Sequence, residues 1–307
     1  MKLAIIGLGK MGANMARRLR FAGHDVVAFN RSPEKTNELV KEINIEPSYS
    51  LKEMVHKLNK PRILWTMVPS GETTENTIIE LSKIIEPGDY VIDGGNSYYK
   101  DSIRRSESLR QKDISFLDVG VSGGIWGLTE GYSLMIGGEE EDILYLTPIF
   151  AALAPSKNTG WGRVGPAGAG HYTKMIHNGI EYGMMEALAE GFDLLQAKRD
   201  LNLDLVKVAK IWQVGSVIRS WLLDLTVSAL ESDQSLAETA SYVEDSGEGR
   251  WTIQESIDLA IPTPVITESL YRRFSSRQND NFALKLLAAI RNKFGGHAIK
   301  RVMGDIK

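Results

Sequence analysis

Lys174, Asn178 and Glu181 stand at i, i+4 and i+7 within Lys-Met-Ile-His-Asn-Gly-Ile-Glu-Tyr-Gly, residues 174 to 183. On a helix that spacing puts one cation and one carboxylate about two turns apart on the same face, with an amide between them. Such a pair can remove a proton at one point of a substrate and return one at another. An arbitrary lysine and glutamate at this spacing is ordinarily a surface pair on a solvated helix. The chemistry therefore depends on what the rest of the chain sets beside them.

The helix that carries these residues is expected from 168 to 196, because Met184, Leu188, Phe192 and Leu195 recur at helical spacing and no proline interrupts. Roughly thirty residues of helix span about 45 Å. At the other end of the chain an apolar run, residues 2 to 6, opens into Gly7-Leu8-Gly9-Lys10-Met11-Gly12 and then a helical pattern from 14 to 21. Strand, glycine turn and helix in that order fit a dinucleotide: Gly7 permits the turn, Gly9 admits a pyrophosphate to the backbone, and Gly12 lets the helix lie close.

A second strand, 25 to 29, ends at Asn30, Arg31 and Ser32, where an acidic residue would bind a ribose 2′-hydroxyl and repel a 2′-phosphate. An amide, a guanidinium and a hydroxyl can hold that phosphate, so NADP is favoured and NAD is possible. The plainer alternative makes Ser32 an N-cap before Pro33 and Arg31 a surface charge. Further strands are expected at 63 to 68, 90 to 93, 116 to 119 and 133 to 136, with helices between them. The fold class is thus α/β, a doubly wound and mainly parallel Rossmann sheet, followed by an all-α second half.

Met67 and Val68 close one strand where a nicotinamide could lie. The ends Asp93-Gly-Gly-Asn96-Ser97 and Val121-Ser122-Gly123-Gly124 present small residues and backbone amides suited to a carboxylate and hydroxyls. The stretch 160 to 170, glycine-rich, reads as a hinge, so the domains are expected at 1–165 and 166–307. Later helices are expected at 204 to 211, 214 to 230, 252 to 260, 263 to 275 and 281 to 293, with 246 to 251 a loop.

With 307 residues, 43% hydrophobic and 24% charged, the chain can bury two cores. A net charge of −3 without a basic block gives no nucleic-acid footprint and no reason to expect a membrane surface. The absence of cysteine excludes disulfides and thiol catalysis, and the five histidines lack metal-ligand spacing. The short apolar start does not read as a signal peptide, and a cytoplasmic protein is expected.

The segments GLGKMG, IDGGNS, GVSGG, KMIHNGIEYG, GRWT and RNKFGGH together resemble the decarboxylating 6-phosphogluconate dehydrogenases, in their short form with a single helical domain. The resemblance implies that Lys174 is the general base toward the substrate C3 hydroxyl and then an acid during loss of carbon dioxide, and that Glu181 protonates C1 of the enediol. For that, Lys174 must be neutral near pH 7, well below its usual pKa of about 10.4. It further implies that Asn96, Ser122, Gly123, Gly124, His177 and Asn178 hold the carboxylate and hydroxyls, with Asn96 also beside the cofactor. Tyr182, Arg273, Arg291 and His297 would approach the phosphate, the last two from the tail of a partner in a homo-oligomer. The long-form members carry a lysine and a threonine in the glycine loop before the tryptophan, whereas the corresponding positions here are Ser246 and Glu248.

Two other readings stand beside this one. A 3-hydroxyisobutyrate-type dehydrogenase without decarboxylation needs a base but no carbon acid, so Glu181 separates it. A non-catalytic redox sensor would keep its role without Lys174.

Overall fold

Successive residues of the central strands in the first half pack on opposite faces of one sheet, which is why these runs are largely apolar instead of alternating. Leu3, Ile5, Val26, Ala28, Ile63 and Trp65 belong to one buried cluster, whereas Ala4, Ile6, Val27 and Leu64 belong to the other. The computed structural model describes residues 1–300; residues 301–307, the end of the expected tail, lie outside the described residues. The chain divides into two compact units, Met1–Ile180 and Glu181–Lys307.

The first unit runs β1 (Lys2–Ile6), α1 (Lys10–Phe21), β2 (Asp25–Phe29), α2 (Pro33–Ile43), β3 (Glu46–Ser48), α3 (Leu51–His56), β4 (Ile63–Thr66), α4 (Glu72–Leu81), β5 (Tyr90–Asp93) and α5 (Tyr99–Arg110). It continues with β6 (Ser115–Ser122), a 3₁₀ turn (Gly124–Trp126), α6 (Gly127–Glu130), β7 (Ser133–Gly137), α7 (Glu140–Leu153), β8 (Trp161–Gly165) and α8 (Ala169–Ala197). The strand order is β3-β2-β1-β4-β5-β6-β7-β8, parallel except where β6 meets β7. The order reverses at β1, so the carboxyl ends of β1 and β4 open a crevice of the kind that binds ligands in such sheets.

The sheet is the doubly wound one expected, with two strands more. β3 contains Pro47, which hides it in the sequence but is tolerated because β3 pairs only with β2, at the edge. β8, Trp-Gly-Arg-Val-Gly, lies in the stretch read as a hinge, yet it pairs in parallel with β7 at the opposite edge. An edge strand needs only one paired side, so its glycines are less costly there.

α8 is one continuous helix, and the division between the units falls within it. The second unit adds α9 (Leu205–Gln213), α10 (Trp221–Ser232), α11 (Glu248–Asp258), α12 (Pro264–Ser276) and α13 (Phe282–Gly295). Phe192, Leu205, Ala209, Leu223, Val227 and Leu230 form its buried core, with Leu188 and Leu195 packed against them. α10 begins at Trp221, not 214, because Gly215 takes a left-handed φ of 77° and the Ser220 hydroxyl accepts from Leu223 N–H at 3.2 Å, capping a new helix. α11 begins at Glu248, not 252, so two-thirds of the expected glycine loop is its first turn. No helix among the described residues is long and apolar enough to cross a membrane.

Candidate active site

The glycine turn between β1 and α1 is dictated by its neighbours. Gly7 has a φ of 96°, and a Cβ there would lie 2.4 Å from the Met67 carbonyl oxygen; one on Gly12 would lie 2.0 Å from the Gly7 oxygen. Gly9 has open space above it, the room a pyrophosphate needs. Leu8 N–H donates to Asn30 Oδ1 at 2.9 Å, and Asn30 Nδ2 donates to the Ser32 carbonyl at 3.2 Å, so Asn30 ties the turn to the end of β2. Arg31 and Ser32 are exposed, and the Ser32 hydroxyl makes no capping bond to α2. Lys10 is exposed at the start of α1, while Met11 and the neighbouring Met67 and Val68 are half-buried. A cavity of about 390 Å³ adjoins the turn, lined by Leu8, Gly9, Lys10, Asn14, Lys35 and Ile125. These residues fit a dinucleotide with its diphosphate over Gly9.

Lys174 is 8% exposed and sits directly over β6. A Cβ on Gly120 would lie 2.4 Å from Lys174 Cβ and 2.7 Å from the Gly170 carbonyl oxygen, so only glycine lets α8 lie this close. Two residues earlier in the same strand, Asp118 is fully buried and accepts from the Gly168 and His171 backbone N–H groups at 2.6 and 2.7 Å. One carboxylate thus satisfies two donors at the start of α8 and complements the helix dipole. The His171 ring Nδ1 lies 2.7 Å from Ser102 Oγ on α5, pinning the same turn from another side.

From this anchored start the next turns bring the candidate polar groups together. Lys174 Nζ is 3.5 Å from His177 Nδ1; that nitrogen is 3.1 Å from Asn178 Oδ1, and His177 Nε2 is 3.3 Å from Ser122 Oγ at the end of β6. One tautomer satisfies both oxygen partners, with Nδ1–H donating to Asn178 and Nε2 accepting from Ser122. The other tautomer presents the Nδ1 lone pair to the Lys174 nitrogen and donates Nε2–H to Ser122. Gly123 and Gly124 follow Ser122 with φ of 135° and 52°. Asn96 is exposed on a loop whose base is Asp93, a fully buried carboxylate that accepts from Ser97 Oγ at 2.7 Å and Gly95 N–H at 3.1 Å. Arg105 bridges Asp93 to Glu75, whose carboxyl is held down at about 2 by hydrogen bonds from Arg104 and then Arg105.

In the second unit, Glu181 is half-buried and Tyr182 buried. Gly249 lets the Tyr182 ring approach, since a Cβ there would lie 2.8 Å from the ring. Ser246 N–H donates to Tyr182 Oη at 3.1 Å, the two hydroxyls are 3.2 Å apart, and Ser246 Oγ donates to Glu248 Oε2 at 2.5 Å. The Arg273 guanidinium stacks 3.6 Å from the Tyr182 ring centroid and donates to the Glu244 carbonyl at 2.8 Å. Arg250 is drawn to Asp245, 2.6 Å away, which also accepts from Arg277; the pair hold the Asp245 carboxyl below the usual carboxylate range. Arg291 and His297 are exposed, and no hydrogen bond among the described residues joins either to Tyr182, Ser246 or Arg273.

The roles that sequence reasoning missed are those of Asp118, which holds two backbone N–H groups, of Gly120, which makes room for α8, and of Asp93, which accepts from Gly95 N–H and from the Ser97 and Arg105 side chains. Asp118 lies in an apolar run between Leu117 and Val119, and a charge in such a run was the signal that could have marked it.

Residues 2–162 match the NAD binding domain of 6-phosphogluconate dehydrogenase, and residues 170–285 match the 6-phosphogluconate dehydrogenase C-terminal domain. A Haloferax volcanii protein described as an NAD(+)-dependent, decarboxylating 6-phosphogluconate dehydrogenase is 41% identical over 98% of this chain and 99% of its own. A decarboxylating 6-phosphogluconate dehydrogenase of Staphylococcus aureus is 40% identical over 90% of this chain and 61% of its own. The solved Plasmodium falciparum 6-phosphogluconate dehydrogenase, studied without ligand, with NADP+ and with 6-phosphogluconate, superposes with a TM-score of 0.83 at 28% identity, over 99% of this chain and 67% of that one.

Proposed function

The chain belongs to the 6-phosphogluconate dehydrogenase family, and from that premise we propose that it converts 6-phospho-D-gluconate to D-ribulose 5-phosphate and carbon dioxide while reducing NADP or NAD. A nicotinamide held at the Gly7–Gly12 turn would supply the acceptor for the hydride of substrate C3. Lys174 takes the proton of the C3 hydroxyl as that C–H bond breaks. The 3-keto acid then loses C1 as carbon dioxide, the bonding pair moves into an enediol, and Lys174 returns its proton to the C3 oxygen. Glu181, acting as acid, delivers a proton to the carbon that held the carboxylate while Lys174 takes back the proton of the C3 hydroxyl, giving the ketopentose.

The observation that carries this reading is the seat of Lys174: buried over Gly120, with the Ser122–His177–Asn178 chain beside it. Burial works against an ammonium ion. It favours the neutral lysine the first step requires.

Asn96, Ser122, Gly123, Gly124, His177 and Asn178 are assigned to the substrate's carboxylate and hydroxyls, and Tyr182 and Arg273 to its phosphate. Residues 1–165 would then serve the cofactor and 166–307 the substrate. Exposed Arg31 and Ser32 support NADP as the better cofactor. α13 buries none of its residues and exposes Phe282, Leu287, Ile290 and Phe294, which supports a homo-oligomer in which Arg291 and His297 complete the partner's site. A cytoplasmic location completes the assignment.

The test is turnover of 6-phosphogluconate with NADP and NAD separately, following carbon dioxide alongside reduced cofactor. Equal amounts are expected. Reduced cofactor without carbon dioxide would replace the assignment with a plain hydroxyacid dehydrogenase.

A further inference from the structure

Arg18, half-buried on α1, spends its guanidinium on three backbone carbonyls. Nη1 donates to Leu128 at 3.1 Å, while Nε and Nη2 donate to Ala152 and Ala154 at 3.3 and 2.7 Å. These carbonyls lie in α6 and at the end of α7 with its cap, where helices leave carbonyls without an intrahelical partner. The planar fork lets one cation join both helix ends. Four residues earlier on the same face of α1, Asn14 Nδ2 donates to the Ile125 carbonyl at 3.2 Å. The two contacts meet the chain three residues apart, so α1 grips the 125–130 segment at two points. Beneath the segment lies the buried Tyr132 ring, which a Cβ on Gly127 would overlap.

That grip reaches the two glycines just before the segment. Gly123 and Gly124 have φ of 135° and 52° and no Cβ to restrict them, so their conformation depends on what holds the chain on either side. On the far side the Gly127 N–H donates to the Gly123 carbonyl at 3.1 Å, which passes any shift of the segment back to the pair. We propose that Arg18 is a positioning residue for substrate binding: by tying α6 to the end of α7 it fixes the 125–130 segment, and with it the Gly123 and Gly124 backbone that receives the substrate's carboxylate. The inference rests on the functional reading above, which assigns that carboxylate to this stretch. It makes α1 serve both ligands, the cofactor diphosphate at its start and the substrate through Arg18.

Two measurements on the full-length protein test this. In hydrogen-exchange mass spectrometry without ligand, the amides of residues 121–131 exchange about tenfold faster in Arg18→Met, and those of residues 2–12 are unchanged. Titration calorimetry then compares 6-phosphogluconate with D-ribulose 5-phosphate, which lacks the carboxylate. Arg18→Met weakens 6-phosphogluconate by about tenfold, the worth of a hydrogen bond to a charged group, and ribulose 5-phosphate by less than about twofold. Unchanged exchange at 121–131 overturns the proposal. So does an equal weakening of the two ligands, or a lowered melting temperature with both affinities intact, since Arg18 would then support the fold alone. Should Arg18→Met fail to fold, Arg18→Lys keeps a cation among the carbonyls without the fork that spans both helix ends; it weakens 6-phosphogluconate selectively by about threefold, and an unselective loss overturns the proposal. Turnover of the wild type is scored separately: its absence removes the functional assignment, whereas the exchange data still decide whether Arg18 fixes the segment.

Discussion

The surroundings of Lys174 and those of Tyr182 are built in different ways. Around Lys174 the fixing elements are mainly backbone: the strand at Gly120, close packing at Gly170, and two helix N–H groups held by the fully buried Asp118 carboxylate. Around Tyr182 they are side chains that satisfy one another, with Ser246 on Glu248, Arg250 and Arg277 on Asp245, and Arg273 stacked on the ring. A group that must meet a reacting atom within a few tenths of an ångström is best held by elements that cannot change rotamer. A group that recognises a remote part of a substrate tolerates exchange of one pairing for another. The difference teaches where substitutions should stop the chemistry and where they should only retune affinity.

The largest expected effect is at Lys174. Lys174→Met should lower kcat by about 10³-fold or more, within the range of lost acid–base catalysis, with the cofactor dissociation constant unchanged in a fluorescence titration. Retained turnover would erase the distinction between the two regions. Glu181→Gln should cost about 10²-fold in kcat; a variant that kept full turnover would point to a reaction without decarboxylation.

Gly120→Ala comes next. Its methyl group has nowhere to go between Lys174 and the Gly170 carbonyl, so denaturant unfolding should show a loss of about 1–3 kcal/mol, the usual cost of overpacking. A fall in kcat with little change in substrate KM should accompany it. A stable, fully active alanine variant would show that α8 can move off the strand.

Smaller changes belong to the recognition of the cofactor. Arg31→Ala should reduce the preference for NADP over NAD by about tenfold, the value of one charge-assisted contact, as read from the two ratios of kcat/KM. No change would leave Arg31 a surface charge.

The smallest concerns pH. Glu75, held at about 2 in the folded chain by Arg104 and Arg105, starts from an ordinary value of 4.5. Its folded pKa is depressed, so its contribution is present above pH 4.5 and is lost as pH falls from there toward 2. Glu75→Gln should flatten that part of the stability profile in thermal melts. An identical acid limb would show that the Arg105 bridge to Asp93 does not depend on it.

Much of this was legible in the sequence because it is local. The glycine turn, the strands with periodic apolar faces and the 29-residue helix each carry their signal within a few residues. Gathering Lys174, His177 and Asn178 needed only helical spacing. Asp118 was not legible as an anchor, because its partners lie fifty and fifty-three positions away and are backbone atoms, which carry no sequence signature. β3 and β8 were missed for a related reason: an edge strand tolerates proline and glycine that a central strand would not. Glu248 was visible as a departure, but its inward hydrogen bond to Ser246 was not, since it depends on where α11 begins.

The measurement that tests most directly whether the backbone frame exists to place Lys174 is a double-mutant cycle with Asp118→Asn. Asparagine keeps one acceptor for the two N–H groups, so kcat should fall by about tenfold or more in the wild-type background as the lysine loses its position. In a Lys174→Met background the same substitution should leave the residual kcat unchanged while still lowering the melting temperature, because there is no longer a base to misplace. An equal loss of kcat in both backgrounds would contradict the account, for Asp118 would then support the fold at large and not the lysine.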